Sequence, residues 1–122
     1  MKIQKSAEDY LETIYMLSLH SSEVRSIDVA RHLGYSKPSV SVAMKNLREK
    51  EHIKVDEQGF IHLTPSGLEI ANMIYERHTL LSSWLTHLGV PEDVAAADAC
   101  KMEHAISAES FLALKSLTRF SD

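Results

Sequence analysis

Apolar side chains recur at helical spacing in most of this chain and at strand spacing in one short stretch. From Ala7 to Leu19, the residues Ala7, Tyr10, Leu11, Ile14, Leu17 and Ser18 share one arc, while Asp9, Glu12 and Met16 lie on the other. That pattern predicts an amphipathic helix, capped by Ser6 with Asp9 placed in capping-box style. A second, short helix runs from Ile27 to Leu33, with Ser26 as its cap and Gly34 as its stop. Ser36 caps a third, which has Pro38 in its first turn and continues to about Glu51 through Val40, Met44 and Leu47. The period then changes. Ile53 to Leu63 alternates on either side of Asp56-Glu57-Gln58-Gly59, which predicts a β-hairpin. Thr64-Pro65 opens a long helix that ends near Leu88-Gly89, Pro91 to Ile106 forms a fifth, and Ser107 caps a sixth that runs to about Phe120.

Ser26 to Glu51 has the spacing of a helix-turn-helix. Ile27, Val29, Ala30 and Leu33 point inward, Gly34 supplies the turn, and Val40, Met44 and Leu47 point inward from the second helix. Ala30 is small where two steeply crossing helices must touch. The hairpin that follows makes the unit a winged helix. The fold class is therefore mainly α: an amino-terminal winged helix-turn-helix over residues 1–63, then a helical domain over residues 64–122. The start of the second helix presents short hydroxyls and a cation, the groups that bond bases and phosphates. The DNA-binding candidates are Ser26, Ser36, Lys37, Pro38, Ser39 and Ser41, with Lys45 and Arg48 continuing a basic flank.

Charge sharpens this reading. The chain of 122 residues carries a formal net charge of −4, which taken whole disfavours nucleic acid. Between residues 36 and 54, however, Lys37, Lys45, Arg48, Lys50 and Lys54 face only Glu49 and Glu51. A local basic patch is what phosphate contact requires, and acid elsewhere does not spoil it. The single cysteine excludes an intrachain disulfide and fits a reducing compartment. No stretch reads as a signal peptide or a membrane span, so a cytoplasmic protein is expected.

The second half adds metal chemistry. In the fifth helix Cys100, Glu103 and His104 stand at i, i+3 and i+4 and project from one face. A thiolate, a carboxylate and an imidazole on adjacent turns can close around one divalent cation. In the long helix, His78 lies on an apolar stripe of Ala71, Ile74, Tyr75, Leu81, Leu85 and Leu88. Each of these residues also has a plain reading: Asp9 and Glu12 as a solvated arc, His78 as a core histidine, Cys100 as a small hydrophobe, and Glu103 with His104 as a flank beside a buried stripe of Ala95, Ala99, Met102 and Ile106. Together, on three helices, they point to metal.

Several blocks carry a resemblance: Glu8-Asp9-Tyr10-Leu11-Glu12-Thr13-Ile14-Tyr15, Val29-Ala30-Arg31-His32-Leu33, Ser39-Val40-Ser41, Leu63-Thr64-Pro65-Ser66-Gly67, Arg77-His78 and Cys100-Lys101-Met102-Glu103-His104-Ala105-Ile106-Ser107. In this order the chain resembles the iron- and manganese-dependent repressors typified by the diphtheria toxin repressor and the manganese transport regulator. The resemblance implies that Asp9, Cys100, Glu103 and His104 bind one metal, and that Glu12 and His78, with Glu103 bridging, bind a second. Asp9 with Glu12 is similar to the manganese regulators; Cys100 is similar to the iron-responsive members. The implied cofactor is Mn²⁺ or Fe²⁺, with Zn²⁺ or Co²⁺ taken in vitro. In length the chain departs from the larger relatives, which append an SH3-like domain, and a short form without it is expected; the resemblance further implies a homodimer formed through the carboxy-terminal helices. A second apolar row on the long helix, Ile70, Met73, Leu80 and Trp84, agrees with dimerisation. The partner is double-stranded DNA, a near-palindromic operator read by recognition helices about one DNA turn (~34 Å) apart. The alternative is a winged-helix regulator that responds to an organic ligand, with the metal candidates structural. A hydrolase would need a general base beside a cleft, which no motif supplies, so no enzyme is expected.

Overall fold

The computed structural model describes residues 5–118. In chain order it holds α1 (Lys5–Ser18), α2 (Ser26–Leu33), α3 (Lys37–Glu49), β1 (Ile53–Val55), β2 (Ile61–Leu63), α4 (Pro65–His87), α5 (Glu92–Ala105) and α6 (Ala108–Thr118). The fold is mainly α with one hairpin, as the periodicities predict. No helix among the described residues is long and apolar enough to cross a membrane. The chain divides into two compact units, 1–72 and 73–122, with the division inside α4.

In the first unit, Leu11 and Ile14 of α1, Val29 and Ala30 of α2, Val40, Met44 and Leu47 of α3, Ile53 and Ile61 of the hairpin and Ala71 of α4 close one core. The helix ends show how the backbone is satisfied. Gly34 stops α2 in the left-handed region (φ 72°), and its N–H donates to the Ala30 carbonyl. The Ser36 hydroxyl accepts from Ser39 N at 3.3 Å, so Ser36 is the cap of α3. Two expected caps are not caps. Ser6 lies inside α1, and Ser26 is already the first residue of α2, whose N-cap is Arg25. The reason is Asp28: its carboxylate accepts the Arg25 N–H at 2.9 Å and starts the helix one residue early. The expected end of α6 near Phe120 lies outside the described residues.

α3 stops at Glu49, short of the expected Glu51, because Glu51 itself turns left-handed at φ 61°. This conformation costs a side-chain-bearing residue roughly 1–2 kcal/mol, and hydroxyls from the start of α4 offset it. The Glu51 carbonyl accepts from Thr64 Oγ1 at 2.7 Å and from Ser66 Oγ at 3.2 Å. Gly67 belongs to the same junction, since a Cβ there would run into the His52 carbonyl oxygen. The hairpin pairs Ile53 with Leu63, Lys54 with His62 and Val55 with Ile61. Ile61 N also donates to the Val24 carbonyl at 2.7 Å, and Arg25 lies over the Phe60 ring at 4.7 Å. The wing is thus tied to the segment that leads into α2.

The second unit has its own core of Leu81, Ala99 and Phe111, with Leu80, Trp84 and Ile106 packed against it. Two sequence expectations change here. Leu80 and Trp84, assigned to a row left for a partner, pack against this core within the unit; the Trp84 and Phe111 rings lie 5.8 Å apart. On α5 the buried stripe is Ala95, Ala99 and Glu103, while Met102 is exposed. Alanines at i and i+4 let a neighbouring helix approach closely, and the next position on that row is Glu103. Beyond the core, Leu112, Leu114 and Leu117 of α6 remain exposed.

Candidate metal centre and nucleic-acid surface

The second unit places His78 of α4 and Glu103 of α5 in direct contact: His78 Nδ1 and Glu103 Oε1 are 2.7 Å apart. Glu103 is 0 % exposed. His104 Nε2 stands 3.7 Å from Glu103 Oε2, with its own side chain 3 % exposed. A fully buried carboxylate is costly unless it is charge-paired or hydrogen-bonded; here imidazoles approach both of its oxygens. His78 and Glu103 bring an imidazole and a carboxylate within 2.7 Å of each other, donor types that suit a first-row divalent cation, so the residues fit the metal that the sequence implies. Arg77 supports the arrangement. Its Nη1 donates to the Glu103 carbonyl at 3.1 Å and to the Ile106 carbonyl at 2.9 Å, and the guanidinium stands 5.7 Å from the Phe111 ring centroid. It therefore caps the carbonyl end of α5, where a cation also suits the helix dipole.

The other ligand candidates are placed as follows. Cys100 is exposed, one turn before Glu103. In the first unit, Glu12 is only 8 % exposed and Glu8 is buried too, while Asp9 is half-buried. The arc of α1 that reads as polar therefore withdraws carboxylates from water, unlike an ordinary solvated helix face. Reading the residues assigned no role to Arg77. Its signal in the sequence was the Arg77-His78 pair that carries part of the resemblance.

The nucleic-acid surface belongs to the first unit. Ser26, Lys37 and Ser41 line a shallow groove of about 220 Å³ together with Ile27. Ser36, Pro38, Ser39, Lys45 and Arg48 are all exposed on or beside α3. The hydroxyls of Ser36 and Ser39 bond each other at 2.9 Å and fix the first turn of the helix. Arg25 and Arg31 add exposed cations at the wing and on α2. The sequence reading also passed over Val42, which is exposed on the same helix four residues after Pro38.

Residues 2–63 match the family model described as "Iron dependent repressor, N-terminal DNA binding domain". Residues 64–122 match "Iron dependent repressor, metal binding and dimerisation domain". The chain is 35% identical over 112 residues to the transcriptional regulator MntR of Salmonella typhimurium, covering 92% of this chain and 71% of that protein. It is 31% identical over 115 residues to the uncharacterized HTH-type transcriptional regulator MJ0568 of Methanocaldococcus jannaschii, covering 93% of this chain and 92% of that one. Among solved structures it is similar to a manganese-dependent transcriptional repressor in complex with manganese, with a TM-score of 0.85 and 28% identity. That match covers 93% of this chain and 53% of the other, so the chain spans about half the length of the solved repressor.

Proposed function

This chain belongs to the iron-dependent repressor family, and on that premise we propose that it controls metal-homeostasis genes, holding operator DNA when Mn²⁺ or Fe²⁺ is bound. It is a metal-dependent DNA-binding repressor, of a family that dimerises through the carboxy-terminal domain, and the alternative of an organic effector is not favoured. The ligand set we propose is Asp9, Glu12, His78, Cys100, Glu103 and His104. The observation that carries this reading is the fully buried Glu103 carboxylate with imidazole nitrogens at 2.7 and 3.7 Å.

Each group has a stated task. Glu103 offers the central oxygens, and His78 and His104 offer ring nitrogens. Arg77 holds the backbone carbonyls of Glu103 and Ile106, so that the ends of these ligands stay in place. Asp9 and Glu12 bring two further carboxylates from α1, and Cys100 a softer donor. A bound divalent cation would supply the positive charge that offsets these carboxylates. Without it their mutual repulsion disfavours the arrangement competent for DNA, and coupling extends only as far as the cation prefers that arrangement. Oxygen and nitrogen donors suit Mn²⁺ and Fe²⁺, and the thiol widens acceptance to Zn²⁺ and Co²⁺. Ser26, Ser36, Lys37, Pro38, Ser39, Ser41, Lys45 and Arg48 make the contacts to a near-palindromic operator in the cytoplasm.

Fluorescence anisotropy on a near-palindromic fragment from a metal-uptake promoter tests this, with chelator and then with Mn²⁺, anaerobic Fe²⁺, Zn²⁺ and Co²⁺ in turn. Affinity should rise by a factor of about 5–150 on metal addition, the usual span of such coupling. Equal affinity under chelator would make the Glu103 cluster structural.

A further inference from the structure

Val42 is 61 % exposed. On α3 the core-facing residues are Val40, Met44 and Leu47. Pro38, Val42, Lys45 and Glu49 follow at helical spacing on the opposite side, and all four are exposed. This face carries an isopropyl group one turn after a proline ring, with the Ser41 hydroxyl and the Lys45 ammonium at its sides. Valine is also stiff at χ1, so holding it against a partner costs little side-chain entropy.

The size and surroundings of this spot decide what covers it. One isopropyl and one pyrrolidine, ringed by serines and lysines, fall far below the roughly 800 Å² per side of a stable protein interface. The exposed Lys37, Lys45 and Arg48 on the same helix are complementary to phosphate. In the major groove the one apolar group on a base edge is the 5-methyl of thymine.

We propose that Val42 is a specificity-determining residue: its side chain packs on a thymine methyl in each operator half-site, while the neighbouring cations hold the phosphates. The proposal rests on the DNA-binding reading above and adds what the helix reads. Val42→Ala should keep general DNA binding and lose discrimination at that one base pair.

The test begins with selection of duplexes from a random library by the full chain with Mn²⁺. In the selected sequence each thymine is then replaced in turn by deoxyuridine, which removes only the methyl. Val42 and Val42→Ala proteins are titrated against every duplex, and their melting is compared by circular dichroism. At one thymine per half-site, loss of the methyl should weaken the Val42 protein about fourfold, the worth of one buried methyl-sized group. Val42→Ala, changed in both copies of the dimer, should bind the thymine duplex about as weakly as the parent binds a duplex with that thymine exchanged in both half-sites, about sixteenfold, and should ignore the exchange. If Val42→Ala loses as much as the parent on every exchange, or no methyl is felt by the parent, the assignment is overturned and DNA binding stands. If no sequence is enriched at all, both the assignment and the DNA-binding reading fall.

Discussion

A carboxylate that meets no water must be held by something. Around Glu103 the partners are the His78 and His104 rings, with Arg77 on its backbone carbonyl. Replacing the charge while keeping the shape separates the metal role from the packing role. Glu103→Gln removes the anion but leaves an amide that can still bond His78. In chelator its unfolding free energy should stay within about 1 kcal/mol of the parent, because the amide keeps the shape and a hydrogen bond to a neutral imidazole, and the desolvation cost of the buried anion is relieved. With Mn²⁺ at a hundred times its dissociation constant the parent should gain about 2.7 kcal/mol and the variant almost nothing. Urea denaturation with and without Mn²⁺ reads both numbers; an equal metal gain in the variant would remove Glu103 from the ligand set. At this scale the sequence was informative up to a point. The i, i+3, i+4 spacing places Cys100, Glu103 and His104 on one face, yet Cys100 is exposed and Glu103 is buried. The two differ by about 60° around the helix, and the edge of the packed surface falls between them. Nothing in a run of alanines marks that edge.

Helix and hairpin boundaries were legible where a side chain announces its own bond. Gly34 and Ser36 do so; their neighbours Arg25 and Glu51 do not, because partners three to fifteen residues away decide their conformations. The wing is a similar case. Its turn was readable from Gly59, but not the part played by Asp56, whose carboxylate accepts from Gln58 N at 3.0 Å, Phe60 N at 2.9 Å and His62 Nε2 at 2.9 Å. The His62 bond chiefly, helped by the two backbone N–H groups, holds the Asp56 carboxyl below its ordinary value of 3.8. A depressed folded-state pKa means that the charged carboxylate stabilises the turn in full above the ordinary value. That contribution fades as pH falls below it and through the lowered one. The amide resonances of Gln58 and Phe60 should therefore shift together only in acid below about pH 4, and Asp56→Asn should abolish the shift while keeping the hairpin. A shift centred near neutral pH, or one that survives in Asp56→Asn, would assign the turn to another group.

For the whole molecule the governing quantity is where charge sits. The net value of −4 points away from DNA, yet residues 36–54 hold five cations against two anions, and the other 15 acidic residues lie elsewhere in the chain. Association with a duplex depends on the local face, since each phosphate neutralised by Lys or Arg releases counterions and adds about −0.9 to the slope of log K against log salt. The slope should thus be steeply negative despite the net charge, and each contact should be removable on its own. Lys45→Ala should flatten it by about 0.9 per bound copy, hence by about 1.8 for a dimer. Glu109→Gln, on exposed α6, relieves a negative charge without touching the face and should leave the slope unchanged. Val42→Ala should lower affinity by a salt-independent factor, because an apolar contact releases no counterion. Binding isotherms from about 50 to 200 mM salt measure all three. A slope that follows net charge, changing as much for Glu109→Gln as for Lys45→Ala, would show that long-range attraction governs binding and that α3 is not the surface that meets the phosphates.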